Sequence, residues 1–318
     1  MFDFLVKFRQ HMLRLTAVGL LVLLSACQSV PPPPPVEVPS VVPPVVVAPQ
    51  PQHRVALVLG GGAAKGFAHV GVIKKLEEAG IHPDLIVGTS AGAVVGALYA
   101  YGYSGVELER MSRQIEESQL TDWSLPNRGV IKGQALQGFI DRAVQHQPLE
   151  KLKRPLAVVA TDLHSGEIVV FRSGDTGMAV RASSTIPGVF QPVTIDRREY
   201  VDGGLVSPVP VKVARALGAD FVIAVDISKA PESGKTDSYL EVMMQSFIIM
   251  GKTIRSYELP LADVVIRPDM QGIGGLNFKR REEAIREGER AAAAALPDLQ
   301  LRLGRVSSIS DPGVNPIR

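Results

Sequence analysis

The segment Asp84–Gly102, DLIVGTSAGAVVGALYAYG, constrains the fold of this 318-residue chain more than any other part of it. An apolar, partly β-branched run reads as a strand, a run of small apolar residues reads as a helix, and Gly88-Thr89-Ser90-Ala91-Gly92 joins the two. A strand that passes through so short a turn into a helix belongs to a layered α/β fold. The G-x-S-x-G spacing also fixes a serine hydroxyl on the turn, at the end of the strand. An unassisted serine is a weak nucleophile, so the sequence must be searched for the group that takes the Ser90 proton.

The same alternation continues on both sides. RVALVLG, PLAVVATDL, EIVVFR, FVIAVDIS and DVVIRP read as strands, rich in Val and Ile and bounded by Gly, Pro or Asp. KGFAHVGVIKKLEEAG, VPVKVARALG, YLEVMMQSFIIMGKTIRSYEL and KRREEAIREGERAAAAAL read as helices. Short buried strands alternating with helices predict a mostly parallel sheet covered on both faces. The last of these helices, with Glu/Arg pairs three and four apart, is expected to present a solvated face. Met243–Met250, MMQSFIIM, reads either as ordinary core or as the wall of an apolar groove.

Ahead of this domain the chain has a different character. Lys7, Arg9 and Arg14 precede an apolar run from Leu15 to Leu24, too short to span a bilayer, and small residues follow. Residues 1–26 therefore read as a secretory signal, and Leu24-Ser25-Ala26-Cys27 is similar to a bacterial lipobox whose cysteine is acylated. An ordinary signal peptide or a short membrane anchor are the alternatives. Cys27 is the only cysteine, which excludes a disulfide framework. Residues 27–53, rich in Pro and Val, read as an extended tether, with a Pro-rich partner motif as the competing use. A single folded domain is expected over residues 54–300 and a tail over 301–318. Residues 1–26 hold three of the 34 Lys/Arg and one of the 32 Asp/Glu, so the remainder is neutral. That balance gives no nucleic-acid footprint.

Two further segments carry chemistry. Leu59–Val72, LGGGAAKGFAHVGV, is a glycine-rich turn between a strand and a helix. Its spacing departs from G-x-G-x-x-G, and no Gly-Lys-Ser/Thr follows, so it is not a P-loop. Backbone N–H groups at a helix start suit an anion, which could be a dinucleotide phosphate or the oxyanion of an acyl-transfer intermediate. The histidines are His11, His53, His69, His82, His146 and His164, and none follows. With no histidine after His164, the order Ser, acid, His could be completed only with His146 or His164, both in turn-like contexts. A triad with an earlier histidine stays open, but a carboxylate base is the simpler reading. Asp202 in REYVDGGLVSPVP offers one, next to Gly203 and Gly204.

GGGAAKG, GTSAG and DGG, in this order and at these strand–helix positions, resemble the patatin-like phospholipase family. STIPGVFQPV, Ser184–Val193, resembles a stretch that commonly precedes the family's aspartate. The resemblance covers Arg54 to Ala219. It implies a three-layer α/β/α sandwich with a mostly parallel central sheet, Ser90 as nucleophile and Asp202 as its base. It also implies an oxyanion hole drawn from Gly61, Gly62, Ala63, Lys65 and Ala91. Gly60, Gly66, Gly88, Gly92, Gly203 and Gly204 are then the motif glycines. Ala63 stands where the family often has glycine. The implied activity is hydrolysis of a phospholipid or other fatty-acyl ester, without metal or cofactor. A lipid on Cys27 would hold the domain at a bacterial membrane, and Gln28 leans towards the periplasmic face of the outer membrane. A thioesterase or acyltransferase on the same scaffold, or a non-catalytic lipid- or nucleotide-binding lipoprotein, are the alternatives.

Overall fold

The computed structural model describes residues 54–123, 128–228, 231, 236–273 and 278–309; the expected signal segment, Cys27 and the expected tether lie outside the described residues. In chain order the elements are β1 Val55–Leu59, α1 Phe67–Glu78, β2 Leu85–Thr89, α2 Ala91–Tyr101, α3 Gly105–Gln114 and α4 Gln134–Ala143. There follow β3 Leu156–Asp162, β4 Ile168–Phe171, α5 Thr176–Ser183, β5 Val193–Ile195, β6 Arg198–Asp202 and α6 Val211–Ala216. The chain continues with β7 Phe221–Val225, α7 Tyr239–Glu258, β8 Val264–Ile266 and α8 Arg281–Ile309.

The strands form one sheet in the order β5-β6-β3-β2-β1-β7-β8, with β4 paired to β3. Neighbours among β3, β2, β1, β7 and β8 run parallel. Every residue of β2 and β3 is buried, as expected of strands covered on both faces. Alternation along β1 shows the layers: Leu57 and Leu59 join a core with α1, α2 and α8, while Ala56 and Val58 join a core with α6. This is the three-layer α/β/α sandwich expected from the sequence.

Two expectations need correction. The boundary at residue 300 falls inside α8, which runs on to Ile309. Nor is α8 simply a solvated face, because Ala284, Ile285, Ala292 and Leu299 are buried against the sheet-side core. Its backbone meets that of α1 so closely that a Cβ on Gly71 would lie 2.0 Å from the Ile285 carbonyl oxygen. The Glu/Arg pairs occupy only the outer side, where Arg290 bonds Glu287 at 2.6 Å.

The register of β3 places the site. Thr89 of β2 stands opposite Val159, and Val170 of β4 flanks the same residue from the other edge. One residue on, Ala160 pairs with Val169 of β4 and with Asp202 of β6. Strands β2 and β6 therefore share one edge of β3 and meet head to head. The residues that end them, Ser90 and Asp202, are brought together there from 112 positions apart in the sequence.

Candidate active site

Ser90 adopts φ 54° and ψ −122°, an uncommon backbone conformation for a residue with a side chain, of the kind that costs about 1–3 kcal/mol. Neighbouring bonds hold the turn in place. The Ser90 N–H donates to the Ser183 hydroxyl at 2.8 Å, and that hydroxyl donates to the Val159 carbonyl at 2.5 Å. Thr89 is tied to the segment after Asp202, its hydroxyl donating to the Ser207 carbonyl at 2.9 Å. Gly88 and Gly92 flank the turn and let α2 fold back onto the ends of β1 and β2. Ser90 itself is 6% exposed.

Asp202 caps the short turn of Gly203–Leu205, its Oδ1 accepting the Gly204 N–H at 2.7 Å. Gly203 has to be glycine, since a Cβ there would lie 2.2 Å from the Val159 carbonyl oxygen. Burial pushes the Asp202 carboxyl up to about 6, while its bonds to the Gly204 amide and the Ser90 hydroxyl pull the other way. A buried carboxyl in contact with a serine hydroxyl, with its acidity weakened towards neutrality, can accept that proton.

The glycine-rich loop runs beside the Ser90 turn, and its amides are not equivalent. Gly60 donates to Val225 at 3.1 Å and Gly61 donates to Pro208 at 2.9 Å. Lys65 donates to Gly62 at 3.2 Å. Gly61 and the Lys65 amide are therefore spent on holding the loop, which corrects the wider oxyanion set expected from the sequence. Among the described residues, the amides of Gly62 and Ala63 have no backbone acceptor, being at the mouth of the 3-10 turn Ala63–Gly66. The Ala91 amide opens α2 and likewise has no acceptor within its helix. Ala63 holds φ 51°, so the alanine takes the left-handed conformation that glycine would take without strain. The third glycine position is thus filled at a conformational cost, with the backbone path kept.

The histidines divide cleanly. His82, His146 and His164 are exposed. His69 is fully buried on α1, its Nε2 bonded to the Gly60 carbonyl at 2.8 Å, and burial pushes it down to about 4. It steadies the glycine loop from behind and lines neither chamber at Ser90.

Two chambers open from Ser90. The first, about 130 Å³, is almost wholly apolar, walled by residues such as Val70, Val94, Leu98, Leu108, Met111 and Phe139. The second, about 240 Å³, contains Asp202, Gly62, Lys65 and Arg255 together with Met244 and Phe247 of α7. Met243–Met250 is thus divided: Met244, Phe247 and Ile248 face the second chamber, and Ile249 and Met250 are about half exposed. The ordinary-core reading fails there. Several residues that shape the site have no role among the sequence expectations: Ser183, Arg255, and Ile186 and Phe190 of the STIPGVF stretch, of which Ile186 borders both chambers. The motif itself signalled the last two.

An α/β sandwich with a strained strand-end serine, a buried carboxyl beside it and loop amides without a backbone acceptor is an arrangement that suits acyl-transfer chemistry. The patatin-like phospholipase family model matches residues 57–215, from β1 to α6. The chain belongs to that family. An uncharacterized NTE family protein of Mycobacterium tuberculosis is 33% identical over 281 residues, covering 78% of this chain and 48% of that protein. The human patatin-like phospholipase domain-containing protein 6 is 34% identical over 229 residues, covering 70% of this chain and 16% of that protein. The chain thus spans half or less of these relatives. Among solved structures, VipD of Legionella pneumophila shares the fold, with a TM-score of 0.55 at 14% identity, over 78% of this chain and 67% of that one.

Proposed function

We propose that this chain is a membrane-anchored serine lipid acyl hydrolase of the phospholipase A or lysophospholipase type. Ser90 attacks the ester carbonyl, Asp202 takes its proton, and the amides of Gly62, Ala63 and Ala91 receive the oxyanion. The alcohol leaves with a proton returned by Asp202, and the same carboxylate then draws a proton from water to release the fatty acid. The observation that carries this reading is the head-to-head meeting of β2 and β6, which sets Ser90 against a buried, weakened acid. Family membership favours the oxyanion use of the glycine loop over the dinucleotide use. The apolar chamber suits an acyl chain, and burying each methylene there contributes about 0.8 kcal/mol.

A fluorophosphonate probe tests the assignment directly. Wild-type protein should be labelled at Ser90, and Ser90→Ala should not be labelled at all. A folded wild type that resists the probe would instead favour a lipid-binding module.

In the same reading Cys27 carries a lipid, and the Pro/Val tether lets the domain reach the periplasmic face of the outer membrane. The lipobox-like LSAC and the lone cysteine support this. Cys27→Ser should move the protein from the membrane to the soluble fraction and remove the lipid mass from its N-terminus. A wild-type mature protein that begins downstream of Cys27 would refute the anchor.

A further inference from the structure

Arg255 stands on the last turns of α7, outside the family-matched segment, and has no part in the reaction described above. It is 9% exposed, yet it lines the same chamber as Ser90 and Asp202. A guanidinium has five N–H donors, and burying it without bonds is costly. Among the described residues its side chain makes no hydrogen bond. Its ion partner Asp226 lies 3.7 Å away, too far for one. Asp226 is also shared, with Arg267 at 3.9 Å, and Oδ1 already accepts the Ser228 N–H at 3.0 Å. Two guanidiniums thus face one carboxylate, and the local balance is positive.

The placement is firm. One turn further on, Glu258 accepts the Ser207 hydroxyl at 2.7 Å, and the Ser207 carbonyl holds Thr89 next to Ser90. Gly251, one turn before Arg255, keeps space along the guanidinium, because a Cβ there would lie 3.3 Å from its Nη1. Burial lowers the Arg255 pKa, and Arg stays charged even so. A charged fork with open donors, lining the same chamber as Ser90, matches the oxygens of a phosphate.

We propose that Arg255 binds the phosphate of the leaving group, making the enzyme selective for acyl esters whose alcohol carries a phosphate close to the scissile oxygen. The acyl chain then enters the apolar chamber, and the glycerophosphate portion enters the chamber of Arg255. This orientation rests on Ser90 as nucleophile, but recognition of the phosphate does not. A glycerophospholipid or lysophospholipid has its phosphate a few bonds from the ester, within such a chamber. A neutral acylglycerol leaves the guanidinium unsatisfied.

The test uses the full chain and two non-hydrolysable ethers, hexylglycerol phosphocholine and hexylglycerol, with binding read by calorimetry. Since neither ether is cleaved, failure of the Ser90–Asp202 assignment leaves the result intact. Wild type should bind the phosphorylated ether at least about tenfold more tightly. Arg255→Met should remove most of that preference, and Arg255→Lys should keep part of it. Equal binding of the two ethers by wild type overturns the proposal. So does a preference that survives undiminished in Arg255→Met, which would leave Arg255 as a tether of α7 to Asp226. Inorganic phosphate that competes as strongly as the phosphorylated ether would mark a free-anion site and overturn the headgroup assignment. If thermal melting shows Arg255→Met to be unfolded, the wild-type comparison and Arg255→Lys decide.

Discussion

Asp202→Asn is expected to abolish ester hydrolysis as completely as Ser90→Ala, by about ten-thousandfold or more in kcat. The amide keeps the shape of the carboxyl and can still accept the Gly204 N–H now received by Oδ1 at 2.7 Å, so the turn should survive. What disappears is the base. The double variant should be little worse than either single one, because two groups that act on one proton are strongly non-additive. The wild-type pH profile gives a second reading. As the proposed base, Asp202 works as the carboxylate, and burial pushes its pKa up to about 6. As pH falls through that value the base is protonated and kcat/KM should fall with it; above it the rate should level off. Replacing His69, His82, His146 or His164 with Gln should leave turnover within about tenfold, short of the loss of a general base. A folded histidine variant as inactive as Ser90→Ala would transfer the role of base to that histidine.

The parts of this fold that sequence reveals are those in which local pattern and tertiary role coincide. Val55–Leu59 and Leu85–Thr89 are short apolar runs closed by glycine or a small polar residue, and both are central parallel strands. Helix α3 has no counterpart among the expected helices, although Ser104 and Glu107 form a capping box that four letters spell out. Helix α8 departs from its expected solvated role for a different reason. Its charged pairs are visible in the sequence, but the crossing on Gly71 that buries its other side depends on a helix more than 200 residues away. The candidate site divides in the same way. Ser90 and Asp202 stand out because short turns demand glycines around them. Which loop amides are free does not stand out, because Gly61 is spent on Pro208, a partner set by tertiary packing. Arg255 has no local signature at all. It is one arginine on a long helix, and its meaning comes only from the chamber it faces.

Gly62→Val is expected to cut kcat by about a hundred- to a thousandfold while leaving the fold intact, the usual loss for one oxyanion donor. Gly62 holds φ 171° with ψ 21°, a combination outside the extended and left-handed regions, so a side chain carries a backbone cost there. Lack of space adds to it. A Cβ at this position would stand 2.8 Å from Ile227 Cδ1 and 3.0 Å from its Cγ1. Ile227 is fully buried and has little room to withdraw, so the loop must move instead. The displacement falls on the Gly62 and Ala63 amides, because Gly60 and Gly61 are fastened to Val225 and Pro208. Binding should change far less than turnover, since the oxyanion forms only in the transition state. The steric cause can be isolated: adding Ile227→Ala to Gly62→Val should restore part of kcat by making room for the side chain. Hydrolysis unaffected in Gly62→Val, with saturable NAD(P) or FAD binding by the wild type, would reassign the loop to a dinucleotide phosphate. A loss of kcat that Ile227→Ala leaves untouched would mean that the valine acts by shielding the amides rather than by moving them.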